Sequence, residues 1–293
     1  MSLKDALLSG KFAITGEVAP KRGSDLTHLM ESASHLAPHV DAINVTDNQR
    51  ASVRISSLVV SKALLDAGHE PVYQLTCRDR NRIALQSDLM GAWALGIGNV
   101  LVVSGDHPGK GDNPSAKPVY DLDSVQLLGA ISGLNSGRDI AGNELHGATG
   151  FFAGAAANPA AQDLDAEVAR VRMKISQGAR FFQTQAVYDA EVFGSFMDRV
   201  GDLDAYFLAG IVPLKSARMA NFMNDNIPGI DVPKKMIAEL EASDDQERTG
   251  MEQAARIIKK LASHCDGVHL MTLGAEKNVG RILELAGLKD ERL

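Results

Sequence analysis

Several side chains in this sequence could do acid–base or ligand chemistry from the ends of apolar runs. Glu17 stands in ITGEVAP, a lone carboxyl among Phe12, Ile14, Val18 and Pro20. Loss of hydration in such surroundings favours the protonated form, which suits a general acid; an ion pair with Arg50 or Arg78 is the competing reading. Asp106 follows the apolar run NVLVVSG and is either a carboxylate presented to a ligand or the cap of a tight turn. Gln183 and Gln185 alternate in FFQTQ and so share one face of a strand. Pointing inward, they offer paired donors and acceptors to a heterocycle such as a pterin; pointing outward, they contact helices. Gly105, Gly109 and Gly111 in GDHPGKG have the spacing of neither a Walker loop nor a dinucleotide fingerprint.

Other reactive residues read more simply. His28, His35 and His39 lie in or beside one helical pattern and are expected to be solvated. His264, Cys265 and His269 straddle a helix-to-strand junction without a fourth ligand, so no metal site is expected. Cys77 has no assignable His or Asn to activate it and reads as a buried thiol. Two cysteines among 293 residues exclude a disulfide framework. A net charge of −7 argues against nucleic acid, which basic proteins bind by counterion release. The absence of a long apolar run argues against a membrane span, and MSLKDALLSGKF lacks a signal-peptide core, so the cytoplasm is expected.

Positioning these groups requires a scaffold, and the pattern supplies one. Apolar runs at 12–18, 41–46, 72–76, 99–104, 149–153, 180–185, 206–212 and 268–272 alternate with amphipathic stretches at 26–36, 52–67, 81–95, 122–134, 163–177, 190–200, 217–226 and 247–263. Eight such units predict an α/β fold, a (β/α)8 TIM barrel with extra helices at 233–241 and 276–286, as a single domain over 1–293. Asp47 to Gln49 and Asp121 to Asp123 are candidate N-caps, and Gly68, Gly96 and Gly178 candidate helix ends. In such a barrel ligands bind at the C-terminal rim. There the strands end in Glu17, Thr46, Gln74 and Thr76, Ser104 and Asp106, Asn158, Gln183 and Gln185, and Thr272.

In order, the segments ITGEVAPKRG, DAINVTDNQR, YQLTCRDRNRIALQSDLMGAWALGIGNVLVVSGDHP, KPVYDLDSVQLL, FFAGAAANP, KISQGARFFQTQAVYD, AGIVPLKSARMANF and GVHLMTLG resemble the methylenetetrahydrofolate reductases over nearly the whole chain. The likeness is to the short bacterial forms, especially those of anaerobic one-carbon pathways. It implies a flavin-dependent barrel that reduces 5,10-methylenetetrahydrofolate, with FAD or FMN as cofactor and methionine biosynthesis as the setting. The family's acid falls on Glu17, its flavin-side carboxylate on Asp106 and its substrate amide on Gln185. Flavin-binding positions carry over to Thr46, Gln74, Ser104, Tyr120, Asn158, Glu167 and Lys174, and the mobile aromatic to Phe222. NAD(P)H or a redox partner protein is the implied electron donor, and a homo-oligomer the implied assembly. Many relatives carry His at Gln74, Arg at Ser104 and Tyr at Asn158; these departures weaken or reshape the expected flavin site. They keep open a flavin-free pterin-binding transferase, and the unassigned donor keeps open a non-catalytic subunit of a redox complex.

Overall fold

Eight apolar runs become eight parallel strands in the computed structural model, which describes residues 1–227 and 229–288. They are β1 (Ala13–Val18), β2 (Ala42–Val45), β3 (Pro71–Thr76), β4 (Asn99–Val103), β5 (Phe152–Ala157), β6 (Phe181–Ala186), β7 (Tyr206–Ile211) and β8 (Gly267–Leu270). Each pairs with its sequence neighbours, and β8 pairs with β1 to close the barrel. The helices are α1 (Leu3–Leu8), α2 (Thr27–Leu36), α3 (Ser57–Asp66), α4 (Arg82–Ala94), α5 (Ser124–Asn135), α6 (Leu164–Ser176), α7 (Ala190–Val200), α8 (Ala217–Asn226), α9 (Lys234–Glu241), α10 (Gln246–Leu261) and α11 (Val279–Ala286). This is the expected (β/α)8 barrel with extra helices: α1 precedes β1, and α8, α9 and α10 all lie between β7 and β8. Among the described residues no helix is long and apolar enough to cross a membrane.

Two apolar shells join the outward strand faces to the helices, and a third cluster fills the barrel interior. The interior cluster is sealed by α1, a helix that the periodicity of the sequence does not announce. A capping box between Ser2 and Asp5 starts it, and Leu3 and Leu7 pack with Ala13, Ala42, Val72, Phe152 and Phe181 from the early parts of the strands. Six helical residues are too few to be stable alone, so tertiary burial holds this turn in place.

Two expected boundaries are wrong for physical reasons. The fifth strand lies at Phe152–Ala157 and not at 149–153. Residues before it serve as a support instead: Asn135 Oδ1 accepts hydrogen bonds from Thr149 Oγ1 and the Phe151 amide. The strand itself is Phe-Ala-Gly-Ala-Ala-Ala, and smallness is its function, because a Cβ on Gly154 would fall 2.3 Å from the Phe181 ring. The second boundary is the helix expected at 52–67, which starts only at Ser57. Asn48, Arg50 and Ala51 are left-handed (φ 45°, 59° and 52°) and hold the preceding chain in a loop. Asp47 is no cap, whereas Asp123 caps α5 in a capping box. Gly68, Gly96 and Gly178 all have positive φ after their helices, as expected.

Candidate active site

Parallel pairing brings the polar strand ends to one rim, where they surround a cavity of about 450 Å³. That volume is in the usual range for small-molecule sites. Glu17, Thr46, Gln74, Ser104, Asp106, Lys174 and Gln185 all line it.

Glu17 is placed by the register of β1, where it sits opposite Asn44 of β2. Its side chain is 10% exposed. Oε2 accepts a hydrogen bond from Gln74 Nε2 at 3.2 Å and lies 3.7 Å from His269 Nε2. Oε1 has no hydrogen-bond partner among the described residues, and Glu17 lines the cavity. Among the described residues no arginine pairs with Glu17: Arg78 is held by Asp79, and no ion pair joins Glu17 to Arg50.

Below Glu17 lies a polar layer that the sequence reading misses. Thr15, Asn44, Gln183 and His269 are each at most 3% exposed. Asn44 and Gln183 exchange amide hydrogen bonds at 2.6 and 3.0 Å, and Gln183 Nε2 also donates to Thr15 Oγ1 at 3.1 Å. Thr15 Oγ1 in turn lies 2.9 Å from His269 Nδ1, and the other ring nitrogen, Nε2, faces Glu17. His269, set aside as a metal ligand, therefore stands behind the candidate acid. The signal was present in the parity of β8: His269 pairs with Thr15, two residues before Glu17 on the same inward face.

The two glutamines share a face but occupy different levels. Gln183 points inward and is consumed by the buried layer, whereas Gln185 is exposed on the cavity wall. Asp106 is also exposed at the wall, and its carboxylate has no partner among the described residues. The nearby turn is capped by His107, whose Nδ1 accepts from the Gly109 amide, so Asp106 is no turn cap. Asp47, buried beneath the rim, accepts from the Thr76 amide and hydroxyl and pairs with Arg80, tying β2 to β3.

The remaining predicted residues divide. Lys174 reaches from α6 to donate to the Ala156 carbonyl at 2.6 Å, and burial pulls its ammonium below the usual lysine range. Thr46 Oγ1 is buried without a hydrogen-bond partner. Tyr120, Asn158, Glu167 and Phe222 are not part of the cavity wall. The Tyr120 hydroxyl donates to the Gly105 carbonyl at 3.0 Å. Glu167 accepts from the Asn158 amide and pairs with Arg170. Phe222, on α8, is 48% exposed. Both cysteines are protected: burial pushes the Cys77 thiol up to about 12, and Cys265 up to about 11. Among the described residues no group of three His, Cys, Asp or Glu side chains could hold a metal ion.

Comparison with known proteins bears on the fold and the family. A solved structure of an uncharacterized Clostridium thermocellum protein that binds two copies of 5-methyl-5,6,7,8-tetrahydrofolic acid superposes with a TM-score of 0.64 at 17% identity, covering 97% of both chains. The 5,10-methylenetetrahydrofolate reductase of Escherichia coli K12 is 24% identical over 308 residues, covering 98% of this chain and 97% of its own. Methylenetetrahydrofolate reductase 1 of Schizosaccharomyces pombe is 27% identical over 235 residues, which span 75% of this chain but only 36% of the yeast protein. The sequence model of the family described as methylenetetrahydrofolate reductase matches residues 2–287, and the chain belongs to that family.

Proposed function

We propose that the chain reduces 5,10-methylenetetrahydrofolate to 5-methyltetrahydrofolate with a flavin as the resident cofactor. The observation that carries this reading is the meeting of Glu17, Gln185, Asp106 and Lys174 on one cavity, with a free Glu17 oxygen and the unsatisfied Thr46 hydroxyl. Family membership and the folate-binding structural neighbour support the substrate class. A buried hydroxyl without a partner costs about 1–3 kcal/mol, a cost that a bound ligand removes. Thr46, Gln74, Ser104 and Lys174 fit a polar flavin edge on those grounds. When bound, reduced flavin supplies the hydride.

The chain's own residues do the rest. Opening the five-membered ring of the substrate requires a proton on a departing nitrogen, and Glu17 holds that proton. Gln74 and His269 both approach Oε2, which fixes the carboxyl plane and leaves Oε1 as the oxygen facing the substrate. After transfer, the Gln74 donor stabilises the carboxylate left behind. Gln185 holds the pterin edge, and the unpaired Asp106 carboxylate favours the cation that ring opening creates.

The position of Asn158 and Tyr120 outside the cavity wall favours a second reading, a flavin-free barrel that transfers a one-carbon group from a pterin. Absorbance of the purified chain, with release and mass measurement of any chromophore on denaturation, separates the two. Bound FAD or FMN is expected. A colourless protein that takes up neither FAD nor FMN overturns flavin dependence. NAD(P)H and a redox partner protein are both compatible donors, told apart by anaerobic reduction of the bound flavin with each. A homo-oligomer is part of the same proposal and is measured by light scattering.

A further inference from the structure

Arg78 lies two residues beyond β3, only 2% exposed, and lines the rim cavity without touching Glu17. Its guanidinium has five N–H groups in a rigid fork. Nε and Nη2 donate to the two oxygens of Asp79 at 2.7 and 2.6 Å. Nη2 also donates to the Asn48 carbonyl at 3.2 Å, and Nη1 to the Asp106 carbonyl at 3.3 Å. One planar group thus joins the loop after β2 to the turn after β4.

Both backbones it holds are in unusual conformations. Asn48 is left-handed at φ 45°. Gly105 is at φ +84°, and a Cβ there would lie 3.1 Å from Arg78 Cβ, so the chain passes directly over the arginine. From the other side, Tyr120 donates to the Gly105 carbonyl. Two consecutive carbonyls, at 105 and 106, are therefore pinned, while the Asp106 side chain is left unbonded at the cavity. The two loops touch again further out, where Asp112 accepts from the Val53 amide and Gly111 packs on Ala51.

We infer that Arg78 is a positioning residue that fixes the Asp106 carboxylate at the cavity by clamping the main chains of Asn48 and Asp106 together. The inference rests on the proposed folate site for its functional side. Lysine would keep the charge and the Asp79 pair, but a single ammonium cannot span acceptors on both loops.

The test uses the full chain with Arg78→Lys, Asp106→Asn and the double variant, with thermal unfolding to confirm that each is folded. Hydrogen exchange by mass spectrometry reads the clamp without any ligand. Arg78→Lys is expected to speed exchange in peptides covering 46–54 and 104–113 together, whereas Asp106→Asn leaves both unchanged. Anaerobic reoxidation of the reduced protein by methylenetetrahydrofolate reads the consequence. Each single variant is expected to slow it about tenfold, and the double also about tenfold, because the two changes remove the same interaction. An exchange pattern in Arg78→Lys equal to that of the unmodified chain overturns the inference, as does a double variant slowed about a hundredfold. Absence of reoxidation by methylenetetrahydrofolate in the unmodified chain overturns the folate reading instead, and exchange alone then decides the clamp.

Discussion

Replacing Glu17 by Gln removes the transferable proton and little else. The amide has nearly the volume of the carboxyl, and its Oε1 can still accept from Gln74 Nε2, now at 3.2 Å. The fold should survive with its denaturant midpoint close to that of the unmodified chain. General acid catalysis contributes about 10²–10⁴-fold, equivalent to roughly 3–5 kcal/mol of barrier. The folate half-reaction is therefore expected to slow by about that factor, while reduction of bound flavin by its donor is unaffected. Anaerobic stopped-flow reoxidation of the reduced protein by methylenetetrahydrofolate measures the first step, and donor-driven bleaching of the flavin the second. A folate half-reaction at the unmodified rate would refute the acid role of Glu17. Equal losses in both half-reactions would refute the claim that it acts only on the folate.

Gln185→Ala should weaken 5-methyltetrahydrofolate binding by about 1–3 kcal/mol in calorimetric titration without changing the thermal midpoint, since the side chain is exposed on the cavity wall; unaltered affinity would place it outside the site. Leu3→Ala should destabilise the fold by about 2–5 kcal/mol, read as a lower denaturant midpoint with an unchanged slope, because Leu3 is fully buried in the barrel interior. The Cys77 thiol, raised to about 12 by burial first and the negative charge of Asp123 second, stays protonated across neutral pH. Iodoacetamide should leave Cys77 unmodified in the folded chain at pH 8 and alkylate it after unfolding in denaturant, when the thiol returns to its ordinary range.

The barrel was legible because parallel strands buried on both sides read as short apolar runs, and eight of them alternate with helical periods. Strand five was misplaced because Ala and Gly carry little strand signal; what makes Phe152–Ala157 a strand is the room it leaves for Phe181, a contact between elements. Glu17, Gln74, Asp106 and Gln185 could be placed at the cavity from strand ends alone. His269 could not be joined to Glu17 in the same way, since it lies more than 250 positions away and meets Glu17 only when β8 closes on β1. The roles of Asn48 and Arg78 were hidden for another reason: they depend on left-handed backbone and on main-chain carbonyls, which side-chain patterns do not report. The split between Gln183 and Gln185 follows from depth along the strand, whereas alternation specifies only the face.

The closure of β1 on β8 also constrains the order in which this chain can fold. Ala13 pairs with Gly267, so the first strand has no partner on that side until the last barrel strand has been synthesised. Until then its edge, and the Leu3 and Leu7 side chains of α1, lack their final cover. Contacts of such long sequence separation are slow to form and leave intermediates open to association. The residues that assemble the candidate acid site, Thr15 and Glu17 from one end and His269 from the other, therefore come together in the step that seals the barrel. A ribosome-bound chain halted before β8 would carry the rim loops of seven strands and still lack the imidazole behind Glu17.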